Sequence, residues 1–204
     1  MRSLIDQNQL SRLVEPSSGH VELDGVNTSS LSLEALRSAL TVVPQEPVLF
    51  SGPLRDTIDP FRISTDKEIV EALRRVELDR FVAELPGGLQ AVVHEGGSNF
   101  SCGQRQLLCL ARALLRESKV ILLDEATANI DVETDYAIQR TIRREFRDAT
   151  VLVVAHRLGT VIDSDLMLVL EGGRLAEFGP PEELLASPGS ALSTFVRELQ
   201  RVAA

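Results

Sequence analysis

At 204 residues the chain is long enough for one sizeable domain and crowded for two. Hydrophobic residues make up 44% and charged residues 25%, a balance that suits a core-burying globular protein rather than a disordered one. The formal net charge of -9, with no run of Lys or Arg, argues against nucleic acid as a partner, since neutralising phosphates supplies most of that affinity.

Met1 to Gln9 lacks the apolar core of a signal peptide. The longest apolar stretches, Val151 to Ala155 and Leu166 to Leu170, fall far short of the roughly 20 residues that cross a bilayer. The chain therefore reads as cytosolic with no transmembrane segment, and any work at a membrane needs another segment to hold it there. Thr41-Val42-Val43 is the first short β-branched run, of the kind buried on both faces in a helix-covered parallel sheet. From about 54 to 118 no strand is evident, and helical patterns fall near 66–76, 78–85 and 104–116. This stretch reads as a helical insertion in a single domain covering 1–204. Val120 to Leu123 is a second buried strand, residues 132–146 a helix through Ala137, Ile138, Ile142 and Phe146, and Val151 to Val154 a third strand. Leu166 to Leu170 is a fourth, and Leu175 to Phe178, after Gly172-Gly173, a hairpin strand. Pro180-Pro181 then opens a C-terminal helix, with Pro tolerated in the first turn. Strands alternating with helices argue an α/β fold.

Two segments carry chemistry. Val120-Ile121-Leu122-Leu123-Asp124-Glu125 delivers adjacent carboxylates to the carboxyl end of a buried strand, where open α/β sheets place their ligands. One carboxylate suits Mg²⁺ and its neighbour suits an attacking water in phosphoryl transfer; by itself the pattern also suits a strand that merely ends in acidic residues. Upstream, Ser101-Cys102-Gly103-Gln104 leads into a helix, with a hydroxyl, a close-approach Gly and free backbone N–H groups that favour an anion. In isolation Ser101 is also an ordinary helix cap. Cys102 and Cys109, without metal-ligand spacing, read as small buried or half-buried thiols.

In order along the chain, Val43-Pro44-Gln45-Glu46-Pro47-Val48-Leu49-Phe50, Ser101 to Gln106 with the helix to Leu114, Asp124-Glu125, Ala126 to Asp131 and His156 resemble the Q-loop, signature, Walker B, D-loop and switch histidine of ABC nucleotide-binding domains. The likeness runs from about Leu10 onward. Leu49 to Asp56 and Asp59-Pro60-Phe61 are similar to the C subfamily, the multidrug-resistance-associated exporters, and Ala126 to Asp131 with Glu125 are most like that subfamily's second domain. The resemblance implies a P-loop NTPase (RecA-like) core with a helical subdomain, ATP and Mg²⁺ as cofactors, a second nucleotide-binding domain as head-to-tail partner, and the transmembrane domains of an exporter at the cytoplasmic face of a membrane. It implies Mg²⁺ at Asp124 and Gln45, a catalytic carboxylate at Glu125, and γ-phosphate contact at His156. Ser101, Cys102, Gly103 and Gln104 would meet a nucleotide held by the partner, and Asp131 would cross the interface.

The sequence departs from the family where a G-x-x-x-x-G-K-[ST] loop should cradle phosphate. Its only lysines are Lys67 and Lys119, and neither follows such a loop. Counting back from Leu13-Val14-Glu15-Pro16 places the expected lysine near Ser3, so the N-terminal strand and P-loop are missing and the chain reads as a fragment of an exporter domain. Without the loop, ATP hydrolysis by the isolated chain is not expected. The missing strand is expected to leave an open side beside the strand that ends at Asp124. Cys102 and Phe100 also replace the usual signature residues. Two other readings are a non-catalytic interaction or regulatory protein that contributes only a signature half-site, disfavoured by the intact Glu125, and a soluble ABC ATPase, disfavoured by the Leu49 to Phe61 wording.

Overall fold

The structure is a computed structural model that describes residues 7–44, 47–124, 132–154 and 162–203. Gln7–Val153 forms one compact unit and Val154–Ala204 the body of a second. The first unit opens with α1 (Gln7–Leu10), the hairpin β1 (Glu22–Leu23) and β2 (Val26–Asn27), and α2 (Leu33–Ala39), which Ser32 caps through Ala35 N at 3.1 Å. Its sheet consists of β3 (Leu40–Val43), β6 (Val120–Asp124) and β7 (Thr150–Val154), in the order β3-β6-β7. β3 and β6 run parallel, Leu40 opposite Val120 and Val43 opposite Leu123, as expected of β-branched runs separated by helices. A buried hydroxyl pair, Thr41 Oγ1 and Ser118 Oγ at 2.6 Å, locks the entry to this pair.

Between β3 and β6 the chain is mostly helical. β4 (Gly52–Pro53) and β5 (Val92–Val93) make one short antiparallel bridge, a pairing too brief to leave a pattern in the sequence. The helices are α3 (Leu54–Ile58), α4 (Asp66–Arg75), α5 (Asp79–Glu84) and α6 (Cys102–Arg116). α4 begins where the sequence supplies a capping box: Glu68 accepts from Thr65 N at 2.7 Å while Thr65 Oγ1 accepts from Glu68 N at 3.3 Å. α6 buries Leu107, Leu108, Leu110, Ala111 and Leu114 in one stripe and forms the centre of the hydrophobic core, with Ile69 and Leu73 of α4 and Ile121 of β6. It stops at Glu117, held at φ 50°. α7 (Val132–Glu145) then turns Ile138 and Thr141 inward.

The sequence reading leaves an open side on the strand ending at Asp124, and here the structure corrects it. β6 has a neighbour on each side, so among the described residues the edge strands of the sheet are β3 and β7. β6 is buried at Ile121, Leu122 and Leu123, whereas β7 is only half-buried from Val151 to Val154. Apolar content alone does not distinguish a central from an edge strand; the pairing does.

The second unit pairs β8 (Met167–Glu171) with β9 (Arg174–Gly179) as an antiparallel hairpin with a bulge at Val169/Leu170. The expected single C-terminal helix is two: α8 (Pro181–Ala186) and α9 (Ala191–Ala203), broken by Ser187-Pro188-Gly189-Ser190. Glu177 accepts from the N–H groups of Ala191 and Leu192 at 2.7 and 3.1 Å, so a carboxylate of β9 caps α9.

Candidate functional site

The N-terminal turn of α6 is assembled by local side-chain bonding. Ser101 is extended, at φ -63°, ψ 161°, and its Oγ accepts from Gln104 N at 3.1 Å, while Ser101 N donates to Gln104 Oε1 at 2.9 Å. This box uses only the acceptor side of each side chain. The Ser101 hydroxyl proton and the Gln104 amide protons are not consumed by it, and an anion recruits such donors. The box also leaves the N–H groups of Cys102 and Gly103 without an acceptor inside the helix, at its positive end. Ser101 is exposed, Cys102 and Gln104 are half-buried, and Gly103 is buried. Gly103, with no side chain, lets the backbone come close to a ligand.

Behind the turn, Phe100 is buried edge-on to Phe81, ring centroids 6.0 Å apart, and Arg105 donates to Phe100 O at 2.9 Å. Phe100 thus acts as an anchor below the Ser101–Gln104 turn. Deeper in α6, burial pushes the Cys109 thiol up, with Arg112 and Arg105 pulling partly against it. Cys109 is therefore an inert packing residue, and Cys102 the accessible thiol.

Asp124 ends β6 half-buried, at the carboxyl end of the sheet, as the sequence places it. Beside it lies a cavity of about 30 Å³, walled by Val43, Leu110 and Val153 and bordered by Gln106, Gln139 and Asp124. Among the described residues no three His, Cys, Asp or Glu side chains converge on a point suited to a metal ion. Asp124 is the described carboxylate at this end of β6, and a carboxylate at a strand end suits Mg²⁺ that keeps most of its water shell. Gln45, Glu125, Asp131 and His156 lie outside the described residues. The structure brings Ser101, Cys102, Gly103 and Gln104 together on one helical turn and sets Asp124 on the strand that α6 covers.

Sequence reasoning took Val48, Phe50 and Phe61 only as part of the family resemblance and passed over Ile63; they stand 65%, 73%, 74% and 83% exposed. An apolar residue that sits in a loop rather than in a helix or strand pattern was the available signal. It also passed over Arg112, whose Nε donates to Thr57 O at 2.6 Å and ties α6 to the end of α3.

A sheet whose central strand β6 runs parallel to β3 and ends in a carboxylate, with the capped helix α6 in the same core, has the form of an α/β core of the P-loop NTPase class. The chain belongs to the ABC transporter family, whose model its residues 7–128 match. It is 51% identical over 183 residues to ATP-binding cassette sub-family C member 2 of Rattus norvegicus, an alignment that covers 90% of this chain and 12% of that protein. It is 50% identical over 183 residues to the probable multidrug resistance-associated protein lethal(2)03659 of Drosophila melanogaster, covering 90% of this chain and 13% of that protein. Among solved structures, a bacterial Atm1-family ABC exporter with ATP bound matches 97% of this chain and 34% of its own, at 34% identity and a TM-score of 0.86. The sequence is that of an ABC nucleotide-binding domain of the C subfamily, and it spans about an eighth of the length of those subfamily relatives. No helix of the described residues is long and apolar enough to cross a membrane.

Proposed function

We propose that this chain serves as a nucleotide-binding domain of an ABC exporter, most like the second such domain, and couples ATP to solute transport at the cytoplasmic face of a membrane. The observation that carries the reading is the Ser101–Gln104 box, which spends its acceptors inward and keeps its donors for an anion. ATP supplies the phosphoryl group that is transferred to water. Toward it, Ser101, Cys102, Gly103 and Gln104 donate hydrogen bonds to the γ-phosphate of a nucleotide held by a second, head-to-tail domain. Asp124 and Gln45 would hold Mg²⁺, which would neutralise charge on the phosphates; Glu125 orients and accepts a proton from the attacking water; His156 donates to the phosphate; Asp131 crosses the interface. Residues 54–118 act as the helical subdomain. Contact with the transmembrane domains is assigned to the segment that resembles the Q-loop, where Val48 and Phe50 are exposed.

The sequence contains no G-x-x-x-x-G-K-[ST] loop, which favours a second reading. In it, the chain is a non-catalytic partner that supplies only the signature half of a composite site. One mixing experiment separates the two from each other and from neither. Purified chain is added to an exporter nucleotide-binding domain that carries its own P-loop, and ATP turnover is followed against chain concentration. The exporter reading expects turnover to rise and Ser101→Arg to abolish the rise. Complex formation without a rise supports the regulatory reading, and no complex at all sinks both.

A further inference from the structure

Gly96-Gly97 precedes the α6 turn by a few residues, and the second glycine occupies a place where nothing larger fits. Gly97 is buried at φ +73°, and a Cβ there would stand 2.9 Å from Arg105 Cδ, 2.9 Å from Leu49 Cδ1 and 3.0 Å from Leu49 Cγ. Among the glycines whose surroundings the structure describes, none other meets so close an approach. Leu49 is 1% exposed and comes from the segment that follows β3, while Arg105 comes from the first turn of α6. A distant segment, at Leu49, and two neighbouring ones, at Gly97 and Arg105, therefore close on one point.

The loop between β5 and α6 is rigid around that point. Asn99 accepts from His94 N at 3.0 Å and donates to Val92 O at 3.0 Å, and Gly97 N donates to His94 O at 2.8 Å. Phe100 N donates to Gly97 O at 2.9 Å, and Arg105 Nη1 donates to Phe100 O at 2.9 Å. The Nε of Arg105 is buried with no partner among the described residues. The guanidinium is thus placed by the loop carbonyl and by the wall of Leu49 and Gly97, not by a full set of acceptors of its own.

We propose that Leu49, Gly97 and Arg105 are positioning residues that set the Ser101–Gln104 turn by packing it, through Gly97, against the segment Pro47–Phe50. The inference deepens the signature role argued above and rests on that reading only for its consequence on nucleotide. Close packing makes such a three-way contact respond in steps rather than smoothly, because an added methyl group has no void to enter. Glycine is required twice over at 97, for its positive φ and for the contact distance.

The two cysteines make the test possible in the purified 204-residue chain. Cys102 lies in the turn and Cys109 is buried two helical turns on, so the rate of reaction with 5,5′-dithiobis(2-nitrobenzoate) reports the turn at Cys102 and wider opening at Cys109. Single-cysteine versions separate the two signals. Gly97→Ala is expected to speed Cys102 by about tenfold with Cys109 unchanged, and adding Leu49→Ala is expected to return Cys102 part of the way, since it removes two of the three close atoms and leaves the strain of the positive φ. Arg105→Lys, a milder change that loses the bond to Phe100 O, is expected to speed Cys102 by about threefold and decides the matter should the Leu49 variant not fold. An unchanged Cys102 rate in Gly97→Ala and Arg105→Lys, or an equal rise at Cys109, overturns the proposal. A second measurement adds the P-loop-bearing partner domain with ATP and Mg²⁺ and follows protection of Cys102. No protection in the unmodified chain overturns the signature reading and leaves the positioning role to the thiol rates. Protection equal in the unmodified chain and Gly97→Ala overturns the positioning role instead.

Discussion

The first turn of α6 and the carboxyl end of β6 belong to the same compact unit, yet they reach their form by different means. The turn is finished by residues next to one another: Ser101 and Gln104 bond reciprocally, Phe100 plugs in behind, and Arg105 holds the approach. The end of β6 presents Asp124 beside a small cavity, and the sequence given holds no G-x-x-x-x-G-K-[ST] loop. A half-site that serves a neighbour's nucleotide can be written into one helix and its cap. A half-site for the chain's own nucleotide needs segments from several strands, and losing any one of them disables it.

The largest expected effect tests that asymmetry. Each charge-assisted hydrogen bond to phosphate contributes about 1.5–3 kcal/mol, so a chain without the loop and its Lys should bind ATP weaker by orders of magnitude than a complete domain. Isothermal titration with ATP and Mg²⁺ should show no saturable binding by the chain alone. Saturation in the range of intact domains would show that the end of β6 is more complete than it looks.

Next in size is the shared support of both regions. Leu108, fully buried on α6, and Ile121, fully buried on β6, pack in one core. Truncating either to Ala should cost about 2–5 kcal/mol, read as a lower urea midpoint at constant slope. If only one of them matters, the two regions do not share a cooperative unit.

Capping residues sharpen the comparison further. Ser101 and Thr65 carry the same kind of box on α6 and α4. Ser101→Ala and Thr65→Ala should each cost about 0.5–2 kcal/mol of stability, but only the first should also reduce ATP turnover in a mixture with a P-loop-bearing partner. Equal effects on turnover would reduce the Ser101 box to a cap. Alkylation of Cys102 by N-ethylmaleimide, well ahead of buried Cys109, should block the same turnover; turnover untouched by complete modification counts against the turn as a contact surface.

The smallest effect lies away from both regions. Glu145 of α7 meets Arg75 at 2.5 Å and Arg144 at 2.6 Å, and Glu77 meets Arg140 and Arg144. Burial pushes the Glu145 carboxyl up, but hydrogen bonds and charge from Arg144 and Arg75 outweigh it and hold it below its ordinary value of 4.5. A lowered folded value means that the contribution is fully present above the unfolded carboxylate range and fades as pH falls through the folded value. Arg75→Ala should lower stability by less than about 1 kcal/mol at neutral pH, and the difference from the unmodified chain should vanish in acid. A difference that persists in acid would mean that Arg75 acts through packing.

Much of this was legible in order along the chain. Helices announced themselves by caps and stripes, as at Thr65–Glu68 and along α6, because those interactions lie within a few residues of each other. Asp124 and the Ser101 turn were legible for the same reason. The short bridge of β4 with β5 was not, since two residues leave no periodicity, and neither was the break between α8 and α9, although Pro188-Gly189 was there to suggest it.

What the sequence determined by itself, then, was the identity of the elements and of the chemical groups: strand-forming β-branched runs, a capped amphipathic helix, a carboxylate at a strand end, and the family to which their order belongs. Tertiary structure alone decided neighbours. It put β6 between β3 and β7, and so moved the open edge away from Asp124. It brought Leu49, Gly97 and Arg105 to one point, and placed Glu145 between two arginines. The physical reason is range: capping and periodicity act over a turn or two of backbone, whereas strand order and close packing join residues whose separation along the chain carries no local signal.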